Sequence, residues 1–179
     1  MYKTQFLLLL FSFTFCFSQT LQNLPEGPYG GGRGYEGVIS DLSGFEVVSD
    51  FPSLIAAINN PSITKVYINT TIQIPWGEKI VISKDNFVLA GDRGLNTTGN
   101  SQIIKDNQQD HASIETITVL GDHVRITGLE IQGPGQLDGG MVDKALRGIL
   151  FENTVGGEVD NCNLKDWTRE AIVVRGNNT

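Results

Sequence analysis

The chain has 179 residues, with 20 acidic side chains against 13 basic ones and a formal charge of -7. That balance argues against nucleic acid as a partner, because phosphate backbones are held by a surplus of Lys and Arg. It leaves neutral glycans, cations, and anions bridged by cations.

Residues 1–20 carry one basic residue (Lys3), an apolar run from Phe6 to Phe17 and a small residue at Ser18. This pattern predicts a secretory signal over 1–18, cleaved before Gln19. The apolar run is too short for the ~20 residues that span hydrocarbon, so no membrane span is expected and the protein is placed outside, extracellular or periplasmic. Removing 18 of 179 residues leaves 161, enough for one domain with a sizeable core. Cys162 is then the one cysteine left. With no internal disulfide, packing must hold the fold.

Residues 19–49 form a glycine-rich lead that contains "GGGRG" (Gly30 to Gly34), and the domain proper is assigned to 50–179. It opens with "SDFPSLIAAINNP", where Phe51, Leu54, Ile55 and Ile58 fall at helical spacing. Asp50 is the expected N-cap, Pro52 sits in the first turn and Asn60-Pro61 stops the run. So short a helix is marginal alone and must dock its apolar face, which suits a cap over strand edges. A first strand, "KVYIN", follows.

Downstream, apolar residues alternate in short pairs instead of helical periods, among abundant Gly and Asn, which predicts many short strands and tight turns. Three stretches superimpose, "SKDNFVLAGD", "VLGDHVRITGLEIQ" and "TVGGEVDNCNLKD", when Phe87, Val124 and Val159 are matched. Leu89, Ile126 and Asn161 then align, followed by Gly91, Gly128 and Asn163, and Gly or Asn at that column predicts a repeated left-handed turn. Upstream of each block lies another pair: Ile80 with Ile82, Ile117 with Val119, Ile149 with Phe151, and Ile172 with Val174. Each unit is expected to hold three short strands, and the uninterrupted step from Ile149 to Ile172 is 23 residues. Units of that length stack into a parallel β-helix, whereas propeller blades need about 40 residues and hairpin signals that are not repeated here. The expected fold is thus all-β, a parallel β-helix of three-strand coils with a short N-terminal capping α-helix.

The signal, the "GGGRG" lead, the short helix, "KVYIN" and "IVISKDNFVLAGDRG" together resemble the opening of secreted pectate lyases and related right-handed β-helix proteins acting on polysaccharides, over roughly Tyr29 to Thr179. The resemblance implies a polyuronate lyase working by Ca2+-assisted β-elimination, with carboxylates holding Ca2+ and a basic Arg or Lys removing a proton. "EVDNCNL" resembles a lyase segment containing Trp-Ile-Asp-His-Cys, placing Asp160 and Cys162 on matching positions, while Glu158, Val159 and Asn161 depart from it. Hydrolases of the polygalacturonase kind would need paired aspartates and Gly-His-Gly, and neither is present. A noncatalytic β-helix that binds glycan or serves adhesion is the alternative, as is an N-terminal fragment without activity. The polysaccharide is the expected partner, and the chain is expected to be a monomer.

Alternation assigns the side chains that face outward. The first strand of each unit presents Val81, Thr118, Leu150 and Val173, with no acid or base. The second presents Val88, Arg125 and Asp160, where Arg125 and Asp160 suit either a surface ion pair or ligand binding. The third presents Glu130 and Lys165. A column at Glu78, Glu115, Arg147 and Glu170 reads as a charge ladder; its functional version has Asp143, Asp160 and Glu170 supply oxygens to Ca2+. His123 is expected in a turn column with Asn86 and Glu158, and His111 in a polar loop. Trp76 and Trp167 lie beside turns, able to stack on a sugar or to roof the turn. The insertion Pro134 to Leu146, with Asp138, is the segment best suited to binding. Arg125, Asp138 and Trp167 are therefore the candidate substrate contacts. The alternation at Ile172 and Val174 also predicts that the β-helix is incomplete at the C-terminus, with the catalytic base beyond residue 179.

Overall fold

The computed structural model describes residues 39, 41–75, 77–93, 103–106, 115–133, 135, 147–167 and 169–176. In chain order these form β1 (Glu46–Val48), α1 (Phe51–Asn59), β2 (Lys65–Ile68), β3 (Ile72–Ile74), β4 (Ile80–Ile82), β5 (Val88–Ala90) and β6 (Ile103–Asp106). There follow β7 (Glu115–Val119), β8 (Arg125–Thr127), β9 (Glu130–Gln132), β10 (Arg147–Glu152), β11 (Glu158–Asp160), β12 (Asn163–Lys165) and β13 (Ile172–Arg175).

The strands join three sheets: β1-β2-β5-β8-β11, β3-β6-β9-β12 and β4-β7-β10-β13. Every pairing is parallel. From β2 onward the chain visits the first, second and third sheets in rotation, so each circuit lies against the previous one at the ~4.8 Å spacing of paired strands. Register places like on like. Val66, Leu89, Ile126 and Val159 form one row in the first sheet. Ile72, Ile104, Ile131 and Leu164 align in the second, and Ile80, Ile117, Ile149 and Ile172 in the third. Buried residues of all three sheets belong to one apolar core. β-Branched side chains favour such a pleated, packed surface.

Corners are turned by residues with positive φ. Asn86, His123 and Gly156, at 53°, 54° and 69°, bend successive circuits between the third and first sheets. Gly128 and Asn161, at 68° and 49°, do so between the first and second. A side chain on Gly128 would also collide with the Gly91 carbonyl in the circuit below. At the first of these corners an aspartate links neighbouring circuits: the Asp122 N–H donates to Asp85 Oδ1 at 2.8 Å, and the Val155 N–H donates to Asp122 Oδ1 at 2.8 Å.

α1 is the expected cap. Asp50 is its N-cap, accepting from the Ser53 N–H at 2.7 Å, while Ser53 Oγ accepts from the Asp50 N–H at 3.3 Å. This reciprocal pair satisfies donors that a helix start leaves open. Leu54, Ala57 and Ile58 are buried in the common core, and the helix packs on β1, β2, β3 and β4. Lys84 fastens its far end, its Nζ donating to the carbonyls of Ala57 (3.3 Å), Asn60 (2.7 Å) and Ile63 (2.5 Å). No helix among the described residues is long and apolar enough to cross a membrane.

Three expectations change. Val159 stands level with Ile126 and Leu89, not with Val124 and Phe87, so the third copy is displaced by two residues. Asn161, not Asn163, consequently makes the left-handed turn in the Gly128 column, Gly91 does not share its positive φ, and Gly156, not Glu158, joins Asn86 and His123. A shift of two preserves which face is inward, and Val159 still packs against the core. The second change is at the start, where β1 lies inside the segment assigned to the glycine-rich lead and pairs with β2. The third is that β3 and β6 complete the first two circuits, which the alternation of β4 and β5 alone did not reveal.

Candidate functional site

The outward residues of the first sheet form two rows. One holds Lys65, Val88, Arg125 and Glu158; the next holds Tyr67, Ala90, Thr127 and Asp160. Strand alternation puts both rows opposite the Val66-Leu89-Ile126-Val159 row.

Asp160 is the focus of this face. Its Oδ2 accepts from Arg125 Nε at 2.7 Å, and its Oδ1 accepts from Thr127 Oγ1 and from Asn161 Nδ2 at 3.2 Å. Arg125 Nε also lies 3.7 Å from Glu158 Oε1. The Asp160 side chain is only 7% exposed, against 23% for Arg125, so the pair is more enclosed than a surface ion pair. Farther along the row, burial and the nearby charge of Asp92 raise the Tyr67 phenol above its usual pKa. Tyr67, Asp92 and Thr127, all buried, were not singled out from sequence. Their signal was the outward parity of "KVYIN" and "RIT", which brings Tyr67 and Thr127 onto the strip that holds Asp160.

The second sheet continues the polar strip. Lys165 Nζ donates to Glu130 Oε1 at 2.5 Å and Asn163 Nδ2 donates to Glu130 Oε2 at 3.0 Å. Burial works to raise the Glu130 carboxyl, but those two bonds and the lysine charge hold it below the ordinary value. Gln132 Nε2 donates to Asp166 Oδ2 at 2.6 Å.

The ladder at the third sheet is present from Glu115 through Arg147 to Glu170. Arg147 Nη1 lies 3.1 Å from Glu115 Oε1 and its Nε 2.9 Å from Glu170 Oε2. The Glu170 carboxyl is lowered by its own backbone N–H and then by Arg147. The first-strand residues expected to face outward do not present an open face, since Thr118 and Leu150 are buried.

Trp167 roofs a turn. Its indole ring occupies the space that side chains on Gly133 and Gly148 would take, and it packs against the core. Such a ring is not a free platform for a sugar. His123 is an exposed turn residue whose N–H donates to the Val155 carbonyl at 2.7 Å. Cys162 is a partly buried thiol that donates to the Ile126 carbonyl at 3.6 Å, and burial pushes its pKa up to about 11.

Of the proposed Ca2+ ligands, Asp160 belongs to the first sheet and Glu170 lies just before β13 of the third, each engaged by a different arginine. They do not fit one cation site, which needs several oxygens about a point. No group of three or more His, Cys, Asp or Glu side chains converges among the described residues. Asp143, Asp138, Trp76 and His111 lie outside the described residues.

Comparison of the chain with protein-family models, with curated proteins and with solved structures finds no match in any of the three.

Proposed function

We propose that the chain is an exported right-handed parallel β-helix of the pectate lyase-like kind, and that it engages an acidic polysaccharide along the outward strip of its first sheet. The observation that carries this is the rotation of the chain through three parallel sheets around one core, with like residues in register. The strip carries charges of both signs along a rigid face, Lys65 on β2, Arg125 on β8, and Glu158 and Asp160 on β11. A long polymer bearing hydroxyls and carboxylates suits such a row, because it can meet the polar side chains of β2, β8 and β11 along one line.

Polysaccharide lyase is the reaction assigned. It requires a basic Arg or Lys at the proton beside the uronate carboxylate, and Arg125 does not serve while its Nε is donated to Asp160. That same pairing favours a second reading, a noncatalytic glycan-binding β-helix. No step is derived through Ca2+, whose proposed ligands among the described residues do not converge.

One experiment separates the readings. The secreted protein is incubated with polygalacturonate with and without Ca2+, following absorbance from unsaturated ends, while retention on immobilised polymer is measured alongside. A Ca2+-dependent rise marks the lyase. Retention without absorbance marks the binding protein, and the absence of both signals refutes the carbohydrate assignment.

A further inference from the structure

A face that holds an acidic polymer needs a cation whose charge is not already engaged within the protein. Arg125 is engaged: its Nε lies 2.7 Å from Asp160 Oδ2 and 3.7 Å from Glu158 Oε1. Lys165 on the second sheet is held by Glu130 at 2.5 Å. Lys65, in the same row as Arg125 but on β2, differs. It is exposed, and no carboxylate among the described residues lies within ion-pair distance of its ammonium. The Asp41 carboxyl is lowered first by the N–H and hydroxyl of Ser43, which donate to it at 2.9 and 2.7 Å, and only then by the charge of Lys65. Lys65 Nζ stands 5.7 Å from the centroid of the Phe45 ring. A ring face attracts an ammonium without neutralising it, and so fixes where a flexible stem carries its charge.

Around Lys65 the outward positions turn apolar. Val88 follows it in its row, and Val47 pairs with Tyr67 in the next. Val47 is 49% exposed and Val88 half-buried. The strip therefore has two parts: a charged one on β8 and β11, whose groups pair with one another, and an apolar one on β1, β2 and β5 with a single unengaged ammonium. Three strand spacings, about 14 Å, separate Lys65 from the carboxylates of β11. That exceeds the Debye length of about 8 Å at physiological salt, so an incoming anion is shielded from Glu158 and Asp160 at Lys65 but meets both at Arg125. We propose that Lys65 is the carboxylate-binding position of the strip: its ammonium takes the carboxylate of a uronate residue, while Phe45, Val47 and Val88 meet the C–H face of the sugar ring. The assignment rests on the polysaccharide reading and moves its anionic contact from Arg125 to the part of the first sheet nearest α1. A few convergent polar donors in an apolar surround are the usual make-up of a small-ligand contact.

Affinity of the secreted chain for polygalacturonate, measured without Ca2+, is compared with its affinity for the same polymer after methyl esterification, for the wild type, Lys65→Met and Lys65→Arg. The wild type is expected to prefer the free acid. Lys65→Met should bind the free acid about tenfold more weakly, the worth of one hydrogen bond to a charged group, and the ester as before. Lys65→Arg should keep the preference, and high salt should abolish it. Because Lys65 is exposed, the far-ultraviolet spectrum and the urea midpoint of both variants should match the wild type. Lys65→Met that binds the free acid as well as the wild type overturns the assignment and leaves the polysaccharide reading standing. So does an equal loss on both polymers, the mark of a purely structural role. A wild type that binds neither polymer removes the polysaccharide reading and this assignment with it.

Discussion

Arg147 shows how single residues tie circuits together. It stands between Glu115 of the circuit before and Glu170 of the circuit after, a nearly buried cation with a carboxylate on each side. Glu170 and Glu130 are both held below the usual carboxylate range. In the window between their folded values and the ordinary glutamate value of about 4.3, the unfolded chain binds more protons, so stability is lost as pH falls through that window. Urea unfolding between neutral pH and about pH 3 should show that decline, and Glu170→Gln should flatten it. Lys84 is a residue of another kind, one ammonium serving three carbonyls at the end of α1 while lying 5.0 Å from the Phe87 ring centroid; burial lowers its pKa. Lys84→Met removes the ammonium from all three carbonyls, of which those of Ala57 and Asn60 keep a backbone N–H donor, and should cost about 1–3 kcal/mol in urea unfolding. Cys162 supplies a third check. With a pKa of about 11 it is roughly one part in a thousand thiolate at pH 8, so iodoacetamide should label it rapidly only after unfolding.

At the scale of elements, the sequence predicted best where one residue type had one use. Asp50, Pro52 and Asn60 bounded α1 correctly because caps and breakers act locally. The Ile80-Ile117-Ile149-Ile172 row was legible because four copies repeat one residue. The first sheet was harder. Gly157, not Val159, stands level with Val124 and Phe87, and a slip of two residues leaves every apolar side chain on its correct face, so alternation could not detect it. What decides the register is the corner: Gly156 and Asn161 carry the positive φ that aligns with His123 and Gly128. Gly148 illustrates a constraint that no local pattern announces, since it is needed to make room for the Ala171 carbonyl and, beside it, the Trp167 ring from the next circuit. Gly148→Ala should push apart that carbonyl and the ring, cost about 1–3 kcal/mol, and shift tryptophan emission to the red. Of the candidate contacts, the Arg125–Asp160 pair was legible from parity alone. Its enclosure by Thr127 and Asn161 was not, because that depends on which circuit sits beneath.

For the whole molecule, stability comes from stacked rows and not from any single sheet, since each circuit buries its apolar residues on its neighbours. Ile126 stands at the centre of the described first-sheet row, between Leu89 and Val159. Ile126→Ala should therefore cost about 2–5 kcal/mol and lower cooperativity across circuits on both sides. The polysaccharide assignment draws on this scale, because only a stacked fold sets Lys65, Arg125 and Glu158 in line. The central claim is the parallel stacking itself. Methyl–methyl nuclear Overhauser effects in protein labelled at Ile, Leu and Val test it most directly. The account predicts contacts of Leu89 with Ile126 and of Ile126 with Val159, accompanied by the amide pattern of parallel strands. Close Hα–Hα contacts between neighbouring segments, the mark of antiparallel pairing, or the absence of both methyl contacts would contradict it.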